Sequence, residues 1–180
     1  MSLEVLLAQR KNEIIKDWFD RVVETYPADT STFLKNRKDP FANPVGSTTL
    51  QSLKSLYGEL LKGLDEKAVI SLLDPVIRIR AIQDFTPSQA VGFVFSLKKA
   101  IRHILNKELD RNRFEDELRL FEEQIDALSL IAFNIFVACR EKIYQLEANE
   151  VKNRTFRAFE RAGLVCERPE IEPEFRKFNP

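Results

Sequence analysis

His103 is the only histidine in the 180 residues, so any chemistry needing an imidazole base, a proton shuttle or a ring-nitrogen ligand must use it. Three positions before it stands Ala100, where a Glu-x-x-His pair would carry glutamate, which removes the repeated motif of di-iron helical bundles. Two cysteines, Cys139 and Cys166, cannot complete a four-ligand zinc set with one histidine, and they form no C-x-x-C pair. The five glycines, at 46, 58, 63, 92 and 163, make neither a G-x-G-x-x-G turn nor a Walker loop. Nucleophile, base and oxyanion donors are not assembled, so no enzymatic activity, no metal and no cofactor is expected.

Two readings of His103 remain. A lone histidine on a helical scaffold of this size can be an axial haem ligand. On a helical wheel, however, it follows Gly92, Ser96, Lys99 and Ala100 and not the apolar line through Val94, Leu97, Ile101 and Ile104, which favours a histidine at the surface or helix edge. Gly92, Ser96 and Ala100, spaced by four, leave a shallow groove along one side of the same helix. Close packing of another helix is the favoured reading of that groove, and space for a small apolar ligand is the functional one.

Other candidates concern contacts. Lys35, Arg37, Lys38 and Phe41 lie in a long loop that reaches Gly46; it either meets a partner or closes over the end of the bundle. Phe114, Leu118, Phe121, Ile125, Leu128, Ala132, Ile135 and Cys139 alternate by four and three as a heptad seam. Leu120, Leu130, Ile131, Phe133, Phe136 and Val137 make the same helix apolar on nearly every side, so it is central in its own bundle or buried by a second chain. Self-association is expected through the outer half of the seam and the helix beyond Lys142, with Phe121, Ile125, Leu128 and Ile135 as its candidates.

The elements that position these residues read as helices throughout. Leu3, Leu6 and Leu7, then Ile14 to Tyr26, recur at three and four until Pro27. The stretch from Ala28 to Gly46 reads as loop, with at most a turn of helix around Thr32 to Asn36. Ser47 or Thr48 opens the next helix, with Gln51 completing a capping box. Asp65 starts another over Glu66 to Gln83, which Asp74-Pro75 should kink or split. Thr86-Pro87-Ser88-Gln89 is the clearest helix start and should lead to about Asn106. The last helix begins near Asp110 or Asn112, reaches Ala162 and stops at Gly163. The expectation is an all-α bundle with a long C-terminal helix: one domain over residues 1–163 and an irregular tail over 164–180.

Composition agrees with a single globular domain, at 44% hydrophobic and 31% charged residues. Lys+Arg and Asp+Glu are 28 each, a balance that argues against nucleic acid or anionic lipid as the main partner. No secretory apolar region follows Met1. The longest apolar run, Ala127 to Cys139, falls short of the ~20 residues a span requires. No membrane association and a reducing cytoplasm are expected.

A resemblance adds to this. Ile14-Ile15-Lys16-Asp17-Trp18-Phe19, the Tyr26-Pro27 stop, Asp39-Pro40-Phe41-Ala42-Asn43-Pro44-Val45-Gly46 and Phe85-Thr86-Pro87-Ser88-Gln89-Ala90-Val91 leading into Leu97-Lys98-Lys99-Ala100-Ile101 resemble the RsbRD N-terminal domain of the RsbR group of stressosome proteins. The likeness covers roughly residues 1 to 147. It implies a globin-like, haem-free sensory or regulatory domain that dimerises and passes a signal along a C-terminal linker helix. It supplies no catalytic residues. Nothing after the long helix reads as a STAS domain, so kinase binding, phosphorylation and stressosome assembly are not carried over. The expected function is a non-enzymatic cytoplasmic module that acts through protein contacts, as a homodimer with a regulatory protein partner. The alternatives are a sensor binding haem or another apolar ligand, and an accessory subunit of a larger complex.

Overall fold

The computed structural model describes residues 2–37, 39–109 and 114–164. Lys38, Cys166, the expected helix starts at Asp110 and Asn112 and the tail from 165 onward lie outside them. Among the described residues there is no strand, and the helices are α1 (Leu3–Gln9), α2 (Lys11–Val23), α3 (Ala28–Asn36), α4 (Pro44–Leu60), α5 (Glu66–Ala81), α6 (Pro87–Gly92), α7 (Ser96–Ile104), α8 (Asn106–Leu109) and α9 (Glu115–Arg161). The chain divides into two units, residues 1–142 and 143–180. No helix of the described residues is long and apolar enough to cross a membrane.

In the first unit α4 packs on α5 and α2, and α2 packs on α7. Ile14 and Trp18 of α2, Leu53 and Tyr57 of α4, Leu73 and Ile77 of α5, Leu97 and Ile101 of α7, and Ile125 and Leu128 of α9 are all fully buried in one core. The start of α9 is held by side-chain bonds: Glu117 Oε2 accepts from Leu3 N–H at 2.7 Å, and Arg102 grips Glu122 through two nitrogens at 2.7 and 2.9 Å. Lys98 reaches Asp126 at 2.6 Å, and Arg140 donates to the Ala81 carbonyl at 3.0 Å. In the second unit every described side chain from Tyr144 onward is exposed. The helix closes there as anticipated, with Gly163 at φ 67° and Leu164 N–H bonding the Phe159 carbonyl at 3.0 Å.

The segmentation differs from the sequence expectation where a side chain captures a backbone group. The first helix divides at Arg10 because the Leu7 carbonyl, which an unbroken helix would offer to Lys11 N–H, accepts the Tyr57 hydroxyl at 3.0 Å. The helix opened by Thr86 divides at Phe93–Phe95 for a similar reason. The Phe93 carbonyl accepts the Trp18 indole N–H at 2.7 Å and the Ser96 hydroxyl at 2.6 Å, and the turn proceeds by three-residue bonds such as Leu97 N–H to Val94. Asp74-Pro75 neither splits nor ends α5; Leu73, Val76 and Ile77 are buried around Pro75, and that packing outweighs the lost hydrogen bond.

The expected loop also holds more helix than its sequence suggests. Pro27 caps α3, which shows little apolar period because only Ser31 and Leu34 face inward. Asn43, not Ser47 or Thr48, caps α4, with Pro44 in its first turn. The buried Asn43 Oδ1 accepts from Gly46 N–H at 2.9 Å, while its Nδ2 donates to the Leu34 and Arg37 carbonyls at 3.0 and 2.9 Å. One amide thereby joins the end of α3 to the start of α4. A Cβ on Gly46 would come within 2.4 Å of it, which is why glycine stands there. Asn43→Ala is expected to cost about 2–3 kcal/mol, a cap plus two buried carbonyls left without a donor, measured as a lower urea midpoint at unchanged slope.

Candidate functional site

His103 lies on the exposed side of α7, its side chain 64% accessible, with Nδ1 2.9 Å from Asp17 Oδ1. Asp17 also pairs with Arg21. A haem held from His103 would sit in solvent rather than in the core. Among the described residues no three His, Cys, Asp or Glu side chains converge as a metal site requires.

Gly92, Ser96 and Ala100 do not form the single stripe their spacing suggests, because the Phe93–Phe95 turn puts Gly92 on α6 and the other two on α7. Ser96 turns its hydroxyl onto the Phe93 carbonyl, and Ala100 is fully buried in the core. The turn interrupts the groove read from the sequence, and the burial of Ala100 agrees with close packing, the favoured reading.

The four seam residues offered for self-association lie on the inner side of α9. Phe121, Ile125 and Leu128 are buried and Ile135 packs partly buried against the core, so the seam faces this chain's own helices. The reason is that α9 meets α1, α7 and α5 along that side, as the bonds to Leu3, Arg102, Lys98 and Ala81 show. Its outer side exposes Leu130 at 67% and Phe133 at 46%, followed by the half-buried Val137.

The residues from Lys35 to Phe41 separate. Phe41 is almost wholly exposed, its N–H turned onto Asp39 Oδ1 at 3.0 Å. Lys35 folds back to Glu24 at 3.0 Å and Asp20 at 3.9 Å. With Arg37 it edges a groove of about 730 Å³ between α2, α3 and α4, whose floor is Ile15, Phe19, Leu34 and Leu50. A second hollow of about 340 Å³ lies between α1, the end of α4 and the start of α9; Gln124 is in its wall, with a buried Oε1 that has no hydrogen-bond partner among the described residues.

The sequence reading missed Arg80. Its guanidinium is fully buried on α5, and among the described residues no carboxylate pairs with it. Nε donates to the Ala90 carbonyl at 3.1 Å; Nη2 donates to the Gln89 carbonyl and to Thr25 Oγ1, both at 2.9 Å. The two carbonyls belong to the last turn of α6, where backbone acceptors have no intrahelical donor and the helix end is negative. Phe85 lies 4.1 Å from the guanidinium carbon, ring centroid to Cζ, with Tyr26 at 5.3 Å and Phe93 at 5.5 Å. Burial holds the pKa of Arg80 below the ordinary arginine value, Tyr26 partly opposing this, and burial likewise raises the Tyr26 phenol. The arrangement is a cationic clamp joining α5, α6 and the end of α2, and it offers a substrate no access.

The described surface therefore offers grooves and faces for binding. No curated protein and no solved structure matches the chain. A family model does, over residues 12–151, and it spans α2 to α8 and most of α9. With more than half of its length matched, the chain belongs to the family described as the RsbT co-antagonist protein rsbRD N-terminal domain.

Proposed function

We propose that this protein is a non-enzymatic sensory or regulatory module that works by protein contact, as a co-antagonist domain would, and that it does so as a homodimer. The supporting observation is the outer side of α9 in the first unit, where Leu130, Phe133 and Val137 follow one another at three and four while the opposite side is already in the core. A helix carrying apolar side chains on both sides gains from a second partner, and a copy of the same helix offers a matching surface. A globin-like disposition of the helices and a regulatory protein partner go with this reading through the family. A cytoplasmic address does too, and the free thiol of Cys139 is compatible with it.

Light scattering at tens of micromolar protein tests the proposal. The wild type is expected at twice the 20.9 kDa chain mass, and Phe133→Glu at the single mass with an unchanged helical spectrum. A monomeric wild type, or a Phe133→Glu variant that remains dimeric, would remove this face from the account. The groove between α2, α3 and α4 favours a sensory role within the same module.

A further inference from the structure

The groove between α2, α3 and α4 differs in charge from the chain around it. Of the charged residues lining it, Lys16, Lys35, Arg37 and Lys54 are cations and only Asp20 is an anion, on a protein whose net charge is zero. Asp20 has a cation of its own, Lys35 at 3.9 Å. Among the described residues Lys16, Arg37 and Lys54 have no ion pair, so their charges are not already matched by a carboxylate of the chain.

The direction of the helices orders the groove. The Tyr57 hydroxyl at the far end of α4 bonds Leu7, just before α2 begins, while Asn43 at the near end of α4 bonds the end of α3. The two helices thus run antiparallel, which brings Lys16 to the same end as Lys54 and leaves Lys35 and Arg37 at the other. Between the ends lie Ile15, only 3% exposed, Leu34, only 5% exposed, and the faces of Phe19 and Leu50. Two exposed ammonium groups without a described carboxylate partner, at one end of an apolar trough, offer positive charge to an anionic head group. A volume of about 730 Å³ is within the usual range for a small-molecule site.

We propose that this groove binds a small amphipathic carboxylate, its head between Lys16 and Lys54 and its apolar chain or ring along Ile15, Phe19 and Leu50 toward Leu34. The proposal does not depend on self-association, since no residue of the groove lies on α9. It gives the module a chemical signal, an organic acid whose apolar part is desolvated on binding and whose carboxylate sets the orientation.

The test is isothermal titration calorimetry of the intact protein with laurate below its micellar concentration. Dodecyltrimethylammonium serves as the cationic counterpart and acetate as the head group alone. One laurate per chain is expected to bind saturably, with neither control binding measurably. The Lys16→Gln/Lys54→Gln double variant, altered only at exposed side chains, should keep the wild-type thermal transition and bind laurate about tenfold more weakly. Leu50→Gln should weaken it as well by placing an amide in the trough. The proposal is overturned by the absence of saturable laurate binding, by equal binding of the cationic amphiphile or of acetate, or by unchanged affinity in the double variant. Because each of these readings is taken on monomer or dimer alike, a negative result leaves the contact proposal for α9 standing.

Discussion

Arg80→Ala is expected to cost roughly 3–5 kcal/mol, a large part of the 5–15 kcal/mol that holds an ordinary domain together. The substitution leaves the Gln89 and Ala90 carbonyls buried without a donor, at about 1–3 kcal/mol each, and opens a void among Tyr26, Phe85 and Phe93. Some of this loss is offset, because the guanidinium is itself costly to bury, as its lowered pKa records. The conservative variants separate the contributions. Arg80→Met fills the space and removes the buried charge, so it should lose less than alanine while leaving the same acceptors unpaired. Arg80→Lys keeps a charge but cannot present the planar fork that reaches Ala90, Gln89 and Thr25 together, and should fall between the two. Thermal unfolding followed by circular dichroism should show the alanine variant lowered by roughly 10 °C. A drop of only a degree or two would mean that the clamp contributes little to holding α6 against α5.

The second large effect is expected at Leu128. It is fully buried on α9, and Leu128→Lys places an ammonium where no described carboxylate is positioned to receive it. A loss of at least several kcal/mol follows, enough to abolish the cooperative transition in a protein of ordinary stability. Leu130→Lys, two residues on and 67% exposed in the single chain, is the matched control and should keep a cooperative transition, lowered only by what the proposed contact between copies contributes. The pair reads out which side of α9 is in the core. If Leu128→Lys kept the wild-type transition, the seam would not be buried; if Leu130→Lys lost it, the outer side would be part of the core or of an obligate interface.

The seam itself was legible in the sequence, because a helix of regular period reveals which residues share a side. What period alone could not give was the neighbour on that side: Phe121, Ile125 and Leu128 fit a contact between chains as well as one within the chain's own bundle, and the sequence reading leaned to the former. Thr86 and Asp65 were legible as caps since a hydroxyl or carboxylate before a helical run acts locally, through the amide three residues on. The breaks at Arg10 and Phe93 were not, because the groups that cause them, Tyr57 and Trp18, come from 47 residues downstream and 75 residues upstream. Arg80 lay between these extremes. It stands seven residues after Leu73, on the buried side of α5, and an arginine at such a position signals an interior cation. Its aromatic neighbours, however, come from three separate stretches of chain, and no local pattern unites them. The charged groove was hidden for the same reason, since Lys16 and Lys54 come to line one groove only when α2 and α4 fold against each other.

The chain carries one tryptophan, and Trp18 is fully buried with its indole N–H on the Phe93 carbonyl. The protein thereby contains an internal fluorophore of known address, shielded from water while the fold is intact. Its emission should be blue-shifted in the native state, resist quenching by iodide, and move to the red only when the Phe93–Phe95 turn lets go. Since Ile15 and Phe19 flank Trp18 on the same helix, a change in its spectrum during a titration would follow events in the adjoining groove without any added label.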